Sequence, residues 1–148
     1  MDVREEVASA MVTAAKTKDR EALSALRMIK AALHNREIDL RGELTSEDVL
    51  QVLSSMVKQR RDSIEQFKKG DRSDLVEKEE RELAIIQGFM PAQLSQKDIE
   101  REIEKAIVEA EAAGIRDMGK VMKILIPKLT GKADGKAVSE MVRKTLSS

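Results

Sequence analysis

"GFMPAQLS", residues 88–95, decides how this chain is to be divided. Gly88 and Pro91 lie three residues apart, and a proline biases the residue before it, here Met90, away from helical backbone. Phe89 and Met90 place an apolar pin at the break. Ser95 followed by Asp98 then carries the signature of a new helix start. One helical pattern stops here and another begins, which separates residues 1–90 from residues 91–148.

Upstream, the spacing predicts four helices. Val3, Val7, Met11 and Ala14 share one face over 3–16. Asp19 is placed to cap a second helix running to about Leu40, with Leu23, Leu26, Ile29 and Leu33 inward, and Gly42 breaks it. Thr45 and Asp48 resemble a capping box for the third and longest helix, whose stripe is Val49, Leu53, Met56, Arg60, Ile64 and Phe67. Arg60 on that stripe reads as an edge residue that keeps its charge in water, and Gly70 marks the helix end. Ser73 is placed to cap the fourth helix, with Leu75, Leu83, Ile86 and Met90 apolar.

Downstream, three more are predicted. Ile99, Ile103, Ile107 and Ala110 face inward on the fifth, which Gly114 ends. Asp117 is placed to cap a sixth carrying Met118, Val121, Met122, Leu125 and Leu129. After a turn at Gly131, Asp134 is placed to cap a seventh with Val138, Met141, Val142 and Leu146. No strand-like alternation occurs. The expected fold is all-α, a four-helix N-terminal bundle over 1–90 followed by a small three-helix tail domain over 91–148.

Composition agrees with that class. Ala, Glu, Lys, Leu and Arg make up 73 of the 148 residues, the usage of long helices. Phe67 and Phe89 are the only aromatic residues, so the core is aliphatic and methionine-rich. The lack of cysteine excludes disulfides, a thiol nucleophile and thiolate metal sites. No apolar run nears the roughly 18 residues of a membrane span. The opening "MDVREEVASAMV" lacks the basic end and apolar block of a secretory signal, and a cytoplasmic protein is expected.

Net charge is zero but unevenly spread. Residues 1–90 carry −2, residues 91–114 carry −3, and residues 115–148, with eight basic against three acidic side chains, carry +5. That excess falls on "MGKVMKILIPKLTGKADGKAV", Met118 to Val138. Asp117 and Asp134 each precede a Gly-Lys pair near a helix start, where backbone amides are unpaired and partly positive. Two readings fit: capped helices with glycine for close packing, or glycine that admits a phosphate to the backbone. Lys120 and Lys123 fall opposite the apolar stripe, Lys128, Lys132 and Lys136 continue through the turn, and Arg143 and Lys144 follow on the last helix. Such a face is either simply solvated or suited to phosphates read without regard to sequence.

"GIRDMGKV", Gly114 to Val121, approaches the phosphate-loop pattern but has Val121 where a hydroxyl must bind Mg²⁺, and follows a helix instead of a strand. Nucleotide hydrolysis is rejected on that ground. Pro127 should kink or end the sixth helix. His34, the only histidine, sits in "AALHNREID" with Glu37 three residues on, and reads as a surface or packing residue. "EKEERE", Glu77 to Glu82, reads as a solvated helix face. No set of residues supplies a nucleophile, a base and an oxyanion hole together, and neither a cofactor nor a metal is expected.

The last third, "MGKVMKILIPKLTGKADGKAVSEMVRKTL", resembles the tail domain of GatB, a component of the glutamine-dependent aspartyl/glutamyl-tRNA amidotransferase. The family pattern M-G-K-[LV]-M is matched by Met118 to Met122, and the K-x-x-G-[KR]-A-D turn by Gly131, Lys132, Ala133 and Asp134. The first two thirds, with "ALRMIKAALHNREIDL" and "VLSSMVKQRRDSIEQFKKGDRSDLVEKEERELAIIQGFMPAQLS", resemble the free-standing YqeY proteins. The resemblance implies a larger helical bundle with a three-helix tail, and a role in tRNA contact. In the amidotransferase other parts of the complex perform ATP-dependent amide transfer, so carbon–nitrogen ligase activity with glutamine as donor belongs to the relatives and no enzyme activity is expected of this chain alone.

The expected function is thus a non-catalytic accessory protein that binds tRNA or other structured RNA, through Gly119, Lys120, Lys123, Lys128, Lys132, Lys136, Arg143 and Lys144. Structured RNA fits better than single strands because no Tyr or Trp is present for base stacking. The glycines are expected to let helices six and seven pack closely while the lysines face the polyanion. The alternative is a helical adaptor for a protein partner, such as one of the translation machinery, suggested by the Met-rich helices and the basic "KQRRD" of Lys58 to Asp62. No membrane partner is expected.

Overall fold

The structure, a computed structural model, describes residues 2–147. Among these residues every regular element is helical: α1 (Val3–Lys16), α2 (Arg20–Leu40), α3 (Ser46–Lys69), α4 (Ser73–Gln87), α5 (Gln96–Ala110), a 3₁₀ turn (Ile115–Asp117), α6 (Met118–Leu129) and α7 (Gly135–Ser147). The chain forms two compact units that meet between Met90 and Pro91.

Local chemistry accounts for most helix starts. The Glu5 amide donates to Asp2 at 2.9 Å and the Ala22 amide to Asp19 at 3.1 Å. At Thr45 both halves of a capping box form, the Asp48 amide to the threonine hydroxyl at 3.1 Å and the Thr45 amide to the Asp48 carboxylate at 2.9 Å. The Thr45 backbone amide, and after it the Thr45 hydroxyl, hold the Asp48 carboxyl below its ordinary value. The Ser95 hydroxyl caps α5 through the Asp98 amide at 3.2 Å. Ser73 does not cap α4: it is the first helical residue, after Arg72, and that N-cap has no side-chain hydrogen bond. Arg72 instead grips Asp74 through two bonds of 3.1 and 3.2 Å.

Gly70 caps the end of α3 and α2 stops at Leu40, just before Gly42, but one glycine is misplaced as a helix end. Gly114 does not end α5; the chain leaves the helix at Glu111, in the left-handed region at φ 52°. Lys18, Arg41 and Asp71 behave alike, with φ of 59°, 55° and 55°. In each case paired carbonyl bonds close the helix, as in Ala112 N–H to Ile107 at 3.1 Å and Arg72 N–H to Phe67 at 2.9 Å. This is the Schellman closure, usually built on glycine. The left-handed residues here are all polar or charged, and the closing bonds offset the cost of about 1–2 kcal/mol that an L-residue incurs there.

In the first unit, Val7, Leu26, Ile29, Leu33, Leu53 and Ile86 are at most 3% exposed, with Phe89 and Met90 packed against that core. Each such side chain contributes about 1.5–3 kcal/mol by leaving water. The α3–α4 pair also holds charge. Arg60 is not a solvated edge residue: its side chain is 14% exposed, with its guanidinium 3.2 Å from Glu82 and 3.5 Å from Glu79. Within the "EKEERE" segment Glu77, Lys78, Glu80 and Arg81 are exposed as expected, whereas Glu82 is buried and Glu79 half-buried. Arg60 and these carboxylates compensate one another.

The second unit closes on Ile103, Ala106, Val121, Leu125, Leu129, Val138 and Val142, all buried, with Leu94, Ile99, Met118 and Met122 around them.

Candidate nucleic-acid interface

The basic stretch occupies α6, the turn after it, and α7. Burial of Val121, Leu125 and Leu129 fixes the rotation of α6 and leaves Gly119, Lys120 and Lys123 in solvent. At 3.6 residues per turn these three fall within one stripe of about 100°, whereas Lys128 lies about 140° round from Lys123. Lys128 is exposed but turned to α5, where its ammonium meets Glu109 at 3.8 Å. On α7 the buried Val138 and Val142 leave Lys136, Arg143 and Lys144 outward. Lys136 and Arg143, seven residues apart, share a face.

Lys132 sits in the turn, exposed at its side chain and held at its backbone. Gly131 is buried at φ 79°, the one left-handed glycine among the described residues, so its lack of a side chain is used here. The Lys132 and Ala133 amides donate back to Leu129 at 2.9 and 3.1 Å. The segment after Pro91 is sewn to the same turn: the Leu94 amide donates to the Lys132 carbonyl at 2.9 Å, and the Gln93 side-chain amide to the Gly131 carbonyl at 2.8 Å. No local pattern in the sequence announces that strap, which joins residues 38 apart.

Two expectations about the glycines and aspartates need correction. A methyl group placed on Gly119 or Gly135 would meet nothing within 4 Å. Close packing of α6 on α7 therefore does not explain either glycine; both lie at open helix starts. Asp117 precedes α6 but makes no side-chain cap to it. Its carboxylate turns back to accept the Ala113 amide at 2.8 Å, with the Lys120 ammonium 3.8 Å away. The amide bond, with help from Lys120 and Arg116, holds the Asp117 carboxyl below its ordinary value. The physical reason is the 3₁₀ turn, which feeds directly into α6 and draws the carboxylate towards the preceding loop. Asp134 precedes α7 and accepts the Val138 amide at its backbone carbonyl, 3.0 Å.

Pro127 falls in the last turn of α6, which ends two residues later. The helix runs on through it to Leu129, and the missing amide forgoes only the bond back to Lys123. Arg116, exposed in the 3₁₀ turn, is a cation that the lysine pattern left out; its signal was the same local charge excess. Among the described residues the ion pairs include Lys120 and Lys128 but not Lys123, Lys132, Lys136, Arg143 or Lys144. The arrangement offers a set of cations outside the ion pairs on α6, the turn and α7, which can meet phosphates and has no aromatic face for stacking.

Elsewhere, His34 is exposed on α2, at the rim of a hollow of about 180 Å³ lined with Arg4, Lys30 and Glu37. Glu37 is ion-paired with Arg4. Among the described residues no cluster of His, Asp and Glu is arranged to hold a metal ion, and no helix is long and apolar enough to cross a membrane.

The profile of the Yqey-like protein family matches residues 4–146. The chain belongs to that family. The curated relatives of this YqeY-like chain include proteins named "altered inheritance of mitochondria protein 41, mitochondrial". That of Pyrenophora tritici-repentis is 28% identical over 137 residues, covering 90% of this chain and 75% of the relative. That of Lachancea thermotolerans is 38% identical over 96 residues, covering 62% and 51%. That of Saccharomyces cerevisiae is 31% identical over 125 residues, covering 82% and 64%. The chain thus spans between half and three quarters of these proteins.

Proposed function

We propose that this chain is a non-catalytic accessory protein that binds structured RNA, with tRNA the leading candidate. The helices divide four and three: an N-terminal bundle as scaffold, and a tail whose α6 stripe, Gly131 turn and α7 face contact phosphates. The observation that carries this reading is the set of exposed cations without ion-pair partners among the described residues, concentrated where the chain carries +5. Gly119, open at the start of α6, lets a phosphate reach the backbone amides. The resemblance of the tail to that of the tRNA amidotransferase supports the choice of tRNA.

In this reading the chain carries no amide transfer of its own; glutamine- and ATP-dependent turnover by the purified protein would overturn that part. The compartment is also proposed. The sequence suggests the cytoplasm, while the fungal relatives bear a mitochondrial name, and tRNA is present in both. The decisive experiment is retention of folded tRNA on a filter across a salt series, with a single-stranded RNA control. Tight, salt-steep binding that favours tRNA supports the reading; no retention at low salt ends it.

A second reading, an adaptor for a protein partner, rests on exposed apolar side chains: Val108 is 77% exposed, and Ile126 and Ile38 are also in solvent. Partners that survive ribonuclease treatment in a pull-down would favour it, and loss of every partner would count against it.

A further inference from the structure

Met28 is the one exposed methionine among the described residues; Met56 is buried and the others are partly so. Its sulfur does not simply face water. An Nη of Arg60, on the neighbouring helix α3, lies 3.4 Å from Met28 Sδ. The same guanidinium sees Glu82 and Glu79 at 3.2 and 3.5 Å, and its buried Nε has no well-aligned acceptor. Arginine brings five donors and no acceptor, and a thioether is a weak acceptor. The guanidinium is thus electrostatically compensated and still short of good hydrogen bonds.

We propose that Met28 is a modification site for hydroperoxides, and that Arg60 captures the sulfoxide it becomes. The thioether lone pair attacks the terminal oxygen of the peroxide. An S–O bond forms as the O–O bond breaks, and the proton left on the new oxygen passes to the departing hydroxide or alkoxide, giving water or an alcohol. Sulfur loses two electrons and the peroxide gains them. The new oxygen projects one bond length from a sulfur already in contact with the guanidinium, within reach of a charge-assisted hydrogen bond.

The sign of the effect follows from the surroundings. Oxidation of a core methionine inserts a polar group among apolar neighbours and loosens them. Met28 is 41% exposed, so the polar oxygen keeps part of its hydration, and it offers the Nη that already touches the sulfur a stronger acceptor than the thioether. Oxidation at this position ties α2 to α3 more firmly.

The test exposes the full chain briefly to hydrogen peroxide and maps the methionine-containing peptides by mass spectrometry. Met28 should gain oxygen several-fold faster than Met11, Met56, Met90, Met118, Met122 or Met141. Protein oxidised at Met28 should melt about 3 °C higher, and one arginine side-chain N–H resonance should shift, the one that M28L leaves in place and R60K removes. Both changes should be lacking in peroxide-treated M28L. M28Q, whose amide oxygen occupies a similar place, should reproduce the rise without oxidant. Oxidation no faster than at the buried methionines, a lowered melting point, or an unmoved Arg60 resonance would each overturn the proposal.

Discussion

Replacing Lys123, Lys132 and Lys136 together by glutamine removes three exposed cations that lie outside the ion pairs of the described residues. None belongs to the buried stripes of α6 or α7, so the helices should persist. If each meets one phosphate, each contributes about 0.9 to the slope of log affinity against log salt, taking the duplex value. Loss of all three lowers the slope by about 2.7. Counterion release has no driving force near 1 M salt, so at about 0.1 M, one decade lower, the same 2.7 log units disappear from the affinity. That is a loss of about 500-fold, or about 3.7 kcal/mol. Lys128→Gln serves as an internal comparison, because its ammonium already lies 3.8 Å from Glu109; its effect should be smaller than that of any one of the three. The assay is filter retention of folded tRNA over a salt series, with far-UV circular dichroism to check the helices. A triple variant that keeps both the slope and the affinity of the parent would refute the assignment of the tail.

The remaining predictions concern single positions. Gly119→Ala should stabilise the tail by about 0.5–1 kcal/mol, since alanine suits a helix and nothing crowds the site, yet weaken tRNA retention; a stabilised protein with unchanged retention would place the RNA elsewhere. Asp117, held below its ordinary carboxylate value, contributes stability that is fully present above pH of about 4 and is lost as pH falls through the lower folded value. Asp117→Asn should therefore flatten the acid limb of a melting curve and leave neutral retention of tRNA intact; an unchanged acid limb would contradict the Ala113 bond. Arg60→Leu leaves Glu79 and Glu82 uncompensated and should cost about 2–4 kcal/mol in urea unfolding, with much of it regained in the double variant Arg60→Leu/Glu82→Leu. A single variant as stable as the parent would mean the carboxylates need no partner.

Much of the helical pattern was readable because its causes are local. The 3.6-residue recurrence of Leu26, Ile29 and Leu33, the capping pair Thr45 and Asp48, and Pro91 after Met90 act over a few residues, and each took effect where the spacing places it. Gly70 stands at the end of α3 as the sequence indicates, but the stop at Gly114 misled for a physical reason. Gly114 is permissive, but the position of a helix end is set by which carbonyls find partners, and Glu111 reaches the closing bonds first. The cations of the tail were legible from composition and periodicity; their freedom was not. Lys128 looks like Lys123 in the sequence and differs only in having Glu109 beside it in space, whereas the partner of Lys120, Asp117, lies three residues before it.

By itself, then, the chain's sequence determined that it is helical, where apolar faces lie, and that positive charge gathers after residue 114, because these depend on propensity, spacing and count. Tertiary structure alone decided which charges and polar groups far apart along the chain meet. Arg60 meets Glu79 and Glu82 across α3 and α4, Arg81 grips Glu21 sixty residues away at 2.8 and 2.9 Å, and Gln93 and Leu94 fasten the Gly131 turn. Such partners are chosen by how whole helices pack around the core, and an ion pair or strap acts over a few ångströms whatever the separation along the chain.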